Sequence, residues 1–227
     1  MLSLLLLALA VPMSAALLAA TAPAVSAHAF ALEAKYLVGR CLALIALVAL
    51  SPIMLGLALA VLLTSRGPVL FRQRRVGQGG ETFSMLKFRS MRVALDSTSF
   101  VPFAGSAPGG VEGVDRRTAV GRFIRRTSLD ELPQLWNVVR GDMCLVGPRP
   151  ERPEHVERFS DEVVGYAARH RVRVGLTGLA QVEGSRGATS CIATRAQLDN
   201  AYIESWSLGL DAKILGRTVG AVLRGAE

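Results

Sequence analysis

Two uncharged apolar runs open the chain, and a mixed polar and apolar pattern follows them to the end. The first runs from Met1 to about Ala20, and the second covers the 23 residues from Cys41 to Leu63. As a straight helix the second run would reach about 35 Å, enough to span a bilayer. Ser51-Pro52 stands in its middle. Proline there lacks the N–H that the helical ladder needs and collides with the preceding turn, so a kink or break is expected. The Ser51 hydroxyl is placed to cap a backbone group freed by the break.

The flanking charges bear on topology. Lys35 and Arg40 precede the second run, and Arg66, Arg72, Arg74 and Arg75 follow it. Positive charge favours the cytoplasmic side, and here both ends carry it. A kinked span and a helix that dips in and returns are both compatible with these flanks. Residues 1–34 form a separate hydrophobic segment. It reads as an extra membrane helix, an export signal ending near Val25-Ser26-Ala27, or a stretch upstream of the true start. No Lys or Arg precedes its apolar core, which counts against the export signal.

Beyond Gly67 the pattern shortens. Val69–Val76 and Glu81–Arg89 are strand-like runs around Gly77-Gln78-Gly79-Gly80 and predict a β-hairpin with a glycine loop. The Ser-, Gly- and Pro-rich stretch from Leu95 to Glu112 predicts a loop. Thr118–Arg126 and Leu129–Arg140 predict short helices separated near Thr127-Ser128. Gly147-Pro148-Arg149-Pro150 predicts a rigid turn. Arg152–His170 predicts one helix with a charged face, Val174–Glu183 an apolar stretch with two glycines, and Leu198–Leu223 one amphipathic helix. The expected fold is α+β and membrane-associated: a helix-break-helix element over 41–63 within a compact, mostly helical domain, 35–227, that carries a β-hairpin and amphipathic interfacial helices.

Composition sharpens the picture. The first 63 residues contain Glu33, Lys35 and Arg40 as their only charged side chains, yet the chain carries a net charge of +8. Arginine supplies 23 of the 26 basic residues. Its planar fork grips phosphate in bidentate fashion, which suits nucleic acid, anionic lipid or a phosphorylated small molecule. The basic residues are scattered over hairpin, loop and turn, and no recognition motif for nucleic acid is present. The P-loop signature is absent too. Cys41, Cys144 and Cys191 are odd in number and widely spaced, which suggests neither a disulfide framework nor a zinc site.

The sharpest chemical cluster is Arg125-Arg126-Thr127-Ser128-Leu129-Asp130-Glu131. Ser128 and Glu131 have the spacing of a capping box, and acids in a first turn complement a helix dipole. A helix start is also a phosphate site, and two arginines stand immediately before it. Adjacent carboxylates suit divided labour, one as nucleophile and one as metal ligand or proton shuttle. The arginines and the dipole are expected to keep Asp130 ionised. Lys87-Phe88-Arg89 and Arg149 between two prolines add two more basic points.

These segments, in this order, resemble the bacterial sugar transferases, the monotopic polyprenol-phosphate phosphoglycosyltransferases. The resemblance rests on Ser51-Pro52, Gly67-Pro68-Val69-Leu70-Phe71, Lys87-Phe88-Arg89-Ser90-Met91, Arg126 through Leu135, Gly141-Asp142-Met143 and Val146 through Pro150. It continues through Gly175–Val182, Trp206-Ser207-Leu208 and Leu210–Leu215, and covers about Lys35 to Arg224. It implies transfer of a phosphosugar from a UDP-sugar to undecaprenyl phosphate through a covalent intermediate on Asp130. Such a step initiates exopolysaccharide, capsule, O-antigen or glycoprotein glycan assembly.

The resemblance further implies Glu131 as second acid, with Mg2+ held by Asp130 and Glu131. Lys87, Arg89, Arg125, Arg126, Arg149, Arg186 and Asp211 become substrate-binding or supporting residues, and Ser51-Pro52 becomes the break of a re-entrant helix. It places the protein at the bacterial inner membrane with the catalytic domain facing the cytoplasm, and an assembly of identical chains is compatible with it. Where the family has Asn-Gly-Arg, this chain has Glu183-Gly184-Ser185-Arg186, and Ser185–Gln197 lacks a Trp. The competing expectation is a non-catalytic membrane-bound protein whose arginines bind anionic lipid or recruit partners.

Overall fold

The computed structural model describes residues 29–92, 115–185 and 191–223. The expectations for residues 1–28, the 95–112 loop and Arg186 fall outside these. Two units meet between Val38 and Gly39, inside the first helix, α1 (Ala29–Ala49).

Helix α2 (Ser51–Thr64) follows α1 after Leu50, and the two are bent by 62°. The bend has a local cause. Pro52 has no N–H to offer the Val48 carbonyl, and Ser51 Oγ donates to that same oxygen at 2.7 Å, so this carbonyl keeps a donor at the break. Among the described residues no single helix is long and apolar enough to cross a membrane, while the bent pair meets the length and composition together. Leu42, Ile45, Val48, Leu55, Leu59 and Leu63 on these helices are exposed.

Strands β1 (Leu70–Val76) and β2 (Thr82–Phe88) form the expected antiparallel hairpin, with Phe71 opposite Lys87 and Val76 opposite Thr82. Helix α3 (Ala119–Arg126) begins at Thr118, whose side chain accepts from the Gly121 N–H at 2.8 Å. Gly121 is required there, because a Cβ would stand 1.8 Å from the Ser90 carbonyl. A single 3-10 turn, Leu129–Glu131, precedes α4 (Gln134–Arg140). Strand β3 (Cys144–Val146) pairs in parallel with β4 (Gly175–Thr177). Between them lie α5 (Pro153–Glu162) and a 3-10 segment, Tyr166–Arg171. Short α6 (Leu179–Val182), α7 (Ile192–Glu204) and α8 (Leu208–Leu223) complete the chain.

Three helix expectations need correction. The 152–170 helix ends at Glu162, because Gly165 adopts φ 75° and turns the chain. The 198–223 helix is two helices with a corner at Ser205-Trp206-Ser207, where Ser207 Oγ accepts from the Leu210 N–H. The helix expected from Leu129 starts only at Gln134. Ser128 is not its cap: it adopts the left-handed conformation, φ 55° and ψ 14°, and its side chain caps nothing.

Two apolar clusters flank the Leu129–Glu131 turn. One joins Met85 of β2 with Leu135 and Val138 of α4, and the other joins Val61 of α2, Phe88 of β2 and Ile124 of α3. Leu132 packs against both clusters, and Leu129 against the second. The turn is therefore wedged in place by apolar burial on each side, a non-directional force that fixes position rather than chemistry.

Candidate active site

The wedge leaves the two carboxylates of the turn in different environments. Glu131 Oε1 accepts from Lys87 Nζ at 2.7 Å and from Arg149 Nη2 at 3.0 Å. These three side chains are 16–26% exposed, enough to meet a solute and little enough for charge to act strongly. Burial would raise the Glu131 pKa, but the two cations and their hydrogen bonds hold it well below the usual carboxylate range. Burial pulls the Lys87 ammonium below its ordinary value, with Glu131 opposing that shift.

Asp130 is 7% exposed, and among the described residues no donor reaches its carboxylate. Burial pushes its pKa up to about 6, against Lys87, Arg125 and Arg149, which pull it down, and with Glu131, which pushes it further up. The α-helix start expected at Asp130 is absent, so no helix dipole acts there. Arg125 does favour the charged form, and desolvation opposes it. At neutral pH the carboxylate is still mostly ionised. A largely buried anion that no protein donor bonds is costly for the fold and well suited to attack an electrophile.

The other expected site residues separate. Arg125 is half-buried and acts on Asp130 through its charge. Arg126 is exposed. Arg89 is buried, and its Nη2 donates to the Ser65 carbonyl at 2.6 Å and to Ser65 Oγ at 3.0 Å, at the end of α2. Asp211 accepts from the Tyr202 hydroxyl at 2.7 Å and from Trp206 Nε1 at 3.1 Å, fastening the α7–α8 corner.

Sequence reasoning passed over Asn137. Fully buried on α4, it takes the Leu86 N–H at 3.0 Å and donates to the Ser84 carbonyl at 2.8 Å and to Asp142 Oδ2 at 2.9 Å. Its amide thus stands in for a neighbouring strand along the free edge of β2. That tie joins the strand bearing Lys87 to the helix that follows Glu131. Its one sequence signal is an amide between Trp136 and Val138 in an otherwise apolar stretch.

Among the described residues no group of three His, Cys, Asp or Glu side chains converges as a metal site. Magnesium asks for less: one or two carboxylates, with the remaining positions filled by water and substrate phosphates. The hard oxygens of the unpartnered Asp130 and of adjacent Glu131 fit that requirement.

Two adjacent carboxylates, Asp130 buried and Glu131 clasped by lysine and arginine, have the makings of a phosphate-handling site. The family model for bacterial sugar transferases matches residues 30–225, and the chain belongs to that family. Over 193 residues, 84% of this chain, it is 46% identical to a protein of Xanthomonas campestris pv. campestris named UDP-glucose:undecaprenyl-phosphate glucose-1-phosphate transferase. A protein of the same name from Caulobacter vibrioides is 48% identical over 76% of this chain. The exopolysaccharide production protein ExoY of Sinorhizobium fredii is 38% identical over 80% of this chain and 81% of its own length. The chain spans 39% of the Xanthomonas relative and 63% of the Caulobacter one.

Proposed function

We propose that the protein transfers a sugar phosphate from a UDP-sugar to undecaprenyl phosphate, with Asp130 as the attacking group. The observation that carries this reading is the asymmetry of the pair: Glu131 is held by two cations while Asp130, beside it, has no donor. The names of the relatives favour the same substrates.

In the first step an Asp130 carboxylate oxygen attacks the β-phosphorus of the UDP-sugar. A new O–P bond forms, the bond from that phosphorus to the bridging oxygen breaks, and UMP leaves with the electron pair. In the second step a phosphate oxygen of the lipid attacks the same phosphorus. The aspartyl O–P bond breaks, the carboxylate is regenerated, and a sugar diphospholipid results. Lys87 and Arg149 hold Glu131 and place positive charge beside the pyrophosphate, and Arg125 adds to that field at Asp130. Asp130 and Glu131 would hold Mg2+, which when bound neutralises pyrophosphate charge and favours departure of UMP.

The bent α1–α2 pair fits a re-entrant element that enters and leaves the cytoplasmic leaflet of the bacterial inner membrane. Its exposed leucines, isoleucine and valine would face lipid, and the surplus of arginine would favour an anionic surface. That setting lets a lipid phosphate and a water-soluble nucleotide reach one carboxylate. The product would start a surface or exported glycan.

The test is Asp130→Asn in the full-length protein in detergent or nanodiscs. UMP release should vanish, and no labelled sugar phosphate should remain on the protein when the lipid acceptor is withheld. Turnover at the wild-type rate in this variant would overturn the assignment.

A further inference from the structure

Behind the candidate site lies a cluster of charges that the proposed reaction does not use. Glu151, Arg169 and Arg195 are each 1% exposed and Asp199 is 2% exposed. Arg195 Nη1 donates to Glu151 Oε1 at 2.8 Å, and Arg169 Nε donates to Asp199 Oδ2 at 3.0 Å. Arg169 Nη1 donates to the Tyr166 hydroxyl at 3.0 Å. Burying this many ions is expensive, and well-packed apolar residues of the same volume often serve stability as well or better. Such a cluster calls for a role beyond holding the fold.

Its remaining bonds point to that role. Arg169 Nη2 donates to the Arg149 carbonyl at 2.9 Å. Arg75 Nη1 donates to the Pro150 carbonyl at 3.1 Å. The Val76 N–H donates to the Glu151 carbonyl at 2.9 Å, and the Gly175 N–H to the Pro148 carbonyl at 2.8 Å. Four successive carbonyls, 148 to 151, are therefore each held by a donor from elsewhere in the chain. Prolines at 148 and 150 remove two backbone N–H groups and fix φ. Close approach completes the clamp, since a Cβ on Gly175 would stand 2.1 Å from the Gly147 nitrogen. From this immobilised backbone the Arg149 side chain reaches Glu131.

We infer that Arg169, held by Asp199, is a positioning residue: it fixes the backbone of Arg149 and so sets where that guanidinium meets Glu131. The inference rests on the proposed reading of the Asp130–Glu131 site. Arg169 is suited to this because one planar fork bonds the Arg149 carbonyl, Asp199 and Tyr166 together. Lysine keeps the charge but not the fork.

The experiment is a double-mutant cycle in the full chain, reading UMP release with undecaprenyl phosphate and a UDP-sugar that the wild type accepts. Arg169→Lys should lower kcat on the order of tenfold to a hundredfold, the scale of a displacement near 1 Å, with KM for the nucleotide-sugar changed by less than about threefold. In an Arg149→Met background the same substitution should cost nothing further, because the group it positions is gone. Asp199→Asn, which retains Arg169, should give a smaller loss with the same dependence on Arg149, and it serves if Arg169→Lys does not fold. Losses that multiply in the double variants overturn the positioning role. An Arg149→Met variant as active as wild type instead overturns the reading of the site itself.

Discussion

Lys87 Nζ and Arg149 Nη2 both bond the same oxygen of Glu131, Oε1, at 2.7 and 3.0 Å. One oxygen thus takes both cations, and neither Glu131 Oε2 nor the Asp130 carboxylate is drawn into that clasp. Lys87→Met should leave Glu131 with Arg149 alone. The loss of one charged partner at a largely buried carboxylate should cost about 1–3 kcal/mol of stability. The greater effect falls on chemistry: kcat/KM for UMP release should drop on the order of a hundredfold, as the pair loses its fixed geometry. Steady-state assays and thermal unfolding of the same preparation separate the two. An unchanged kcat/KM would remove Lys87 from the site.

The pH dependence follows from Asp130, whose pKa burial raises to about 6. The attacking form is the carboxylate, so kcat/KM, which reports the free enzyme, should fall as pH drops through about 6. Glu131, held far lower by its two cations, contributes no limb in that window. Increasing Mg2+ should move the limb to lower pH if these carboxylates hold the ion. Stability has the opposite sign. Between about pH 4 and 6 the folded state binds a proton that the unfolded state has released, so Asp130 stabilises the fold least above pH 6. Asp130→Asn should therefore be more stable than wild type at pH 7.5, by on the order of 1 kcal/mol or more, while transferring nothing. A less stable Asn variant would contradict the unpartnered burial of this carboxylate.

The sequence made some features legible because their causes are local. The bend at Leu50 follows from one missing N–H at Pro52, and the hairpin from two strand-like runs around the glycines of Gly77–Gly80. The helix breaks at Val163–Gly165 and Ser205–Ser207 were not anticipated. Gly165 offered a signal, but the second break contains neither Gly nor Pro and is fastened by Tyr202 and Trp206 bonding Asp211. Ser128 misled because Ser-x-x-Glu spacing is compatible with a cap, whereas the end of α3 takes that residue first. The charged residues of the candidate site stood out one at a time. Their meeting did not, since Lys87 and Arg149 lie 44 and 18 positions from Glu131. The buried cluster around Glu151 and Arg169 depends on tertiary placement throughout.

Asn137 offers a test of how the strand that carries Lys87 is held. Its amide both donates to Ser84 and accepts from Leu86, a pairing that needs an oxygen and an N–H2 group together. Asn137→Asp keeps the shape but turns the donor into an acceptor that faces the Ser84 carbonyl and Asp142. Asn137→Leu leaves the Leu86 N–H without its partner. Both should lower the unfolding midpoint by roughly 2–4 kcal/mol of lost stability, the Asp variant more steeply at pH 8 than at pH 5, because ionisation sets it against Asp142. A midpoint for Asn137→Asp that does not depend on pH would show that the amide is not held as described.

Ser128 is the one non-glycine residue with positive φ among the described residues, and it stands two positions before Asp130. Left-handed backbone costs an ordinary residue about 1 kcal/mol and glycine almost nothing. Its N–H donates to the Arg125 carbonyl and its own carbonyl accepts from the Glu131 N–H, each at 3.1 Å, so this conformation ends α3 and begins the turn that presents both acids. Ser128→Gly should therefore stabilise the protein by up to about 1 kcal/mol and leave UMP release within a fewfold of wild type. Ser128→Val, whose branched Cβ is least tolerant of this conformation, should lose more than about 1 kcal/mol and lose activity further, because relief of its strain shifts the Asp130 turn. Thermal unfolding and UMP release of the two variants decide the matter. Equal midpoints for Gly and Val would mean that the turn reaches Asp130 without the left-handed step.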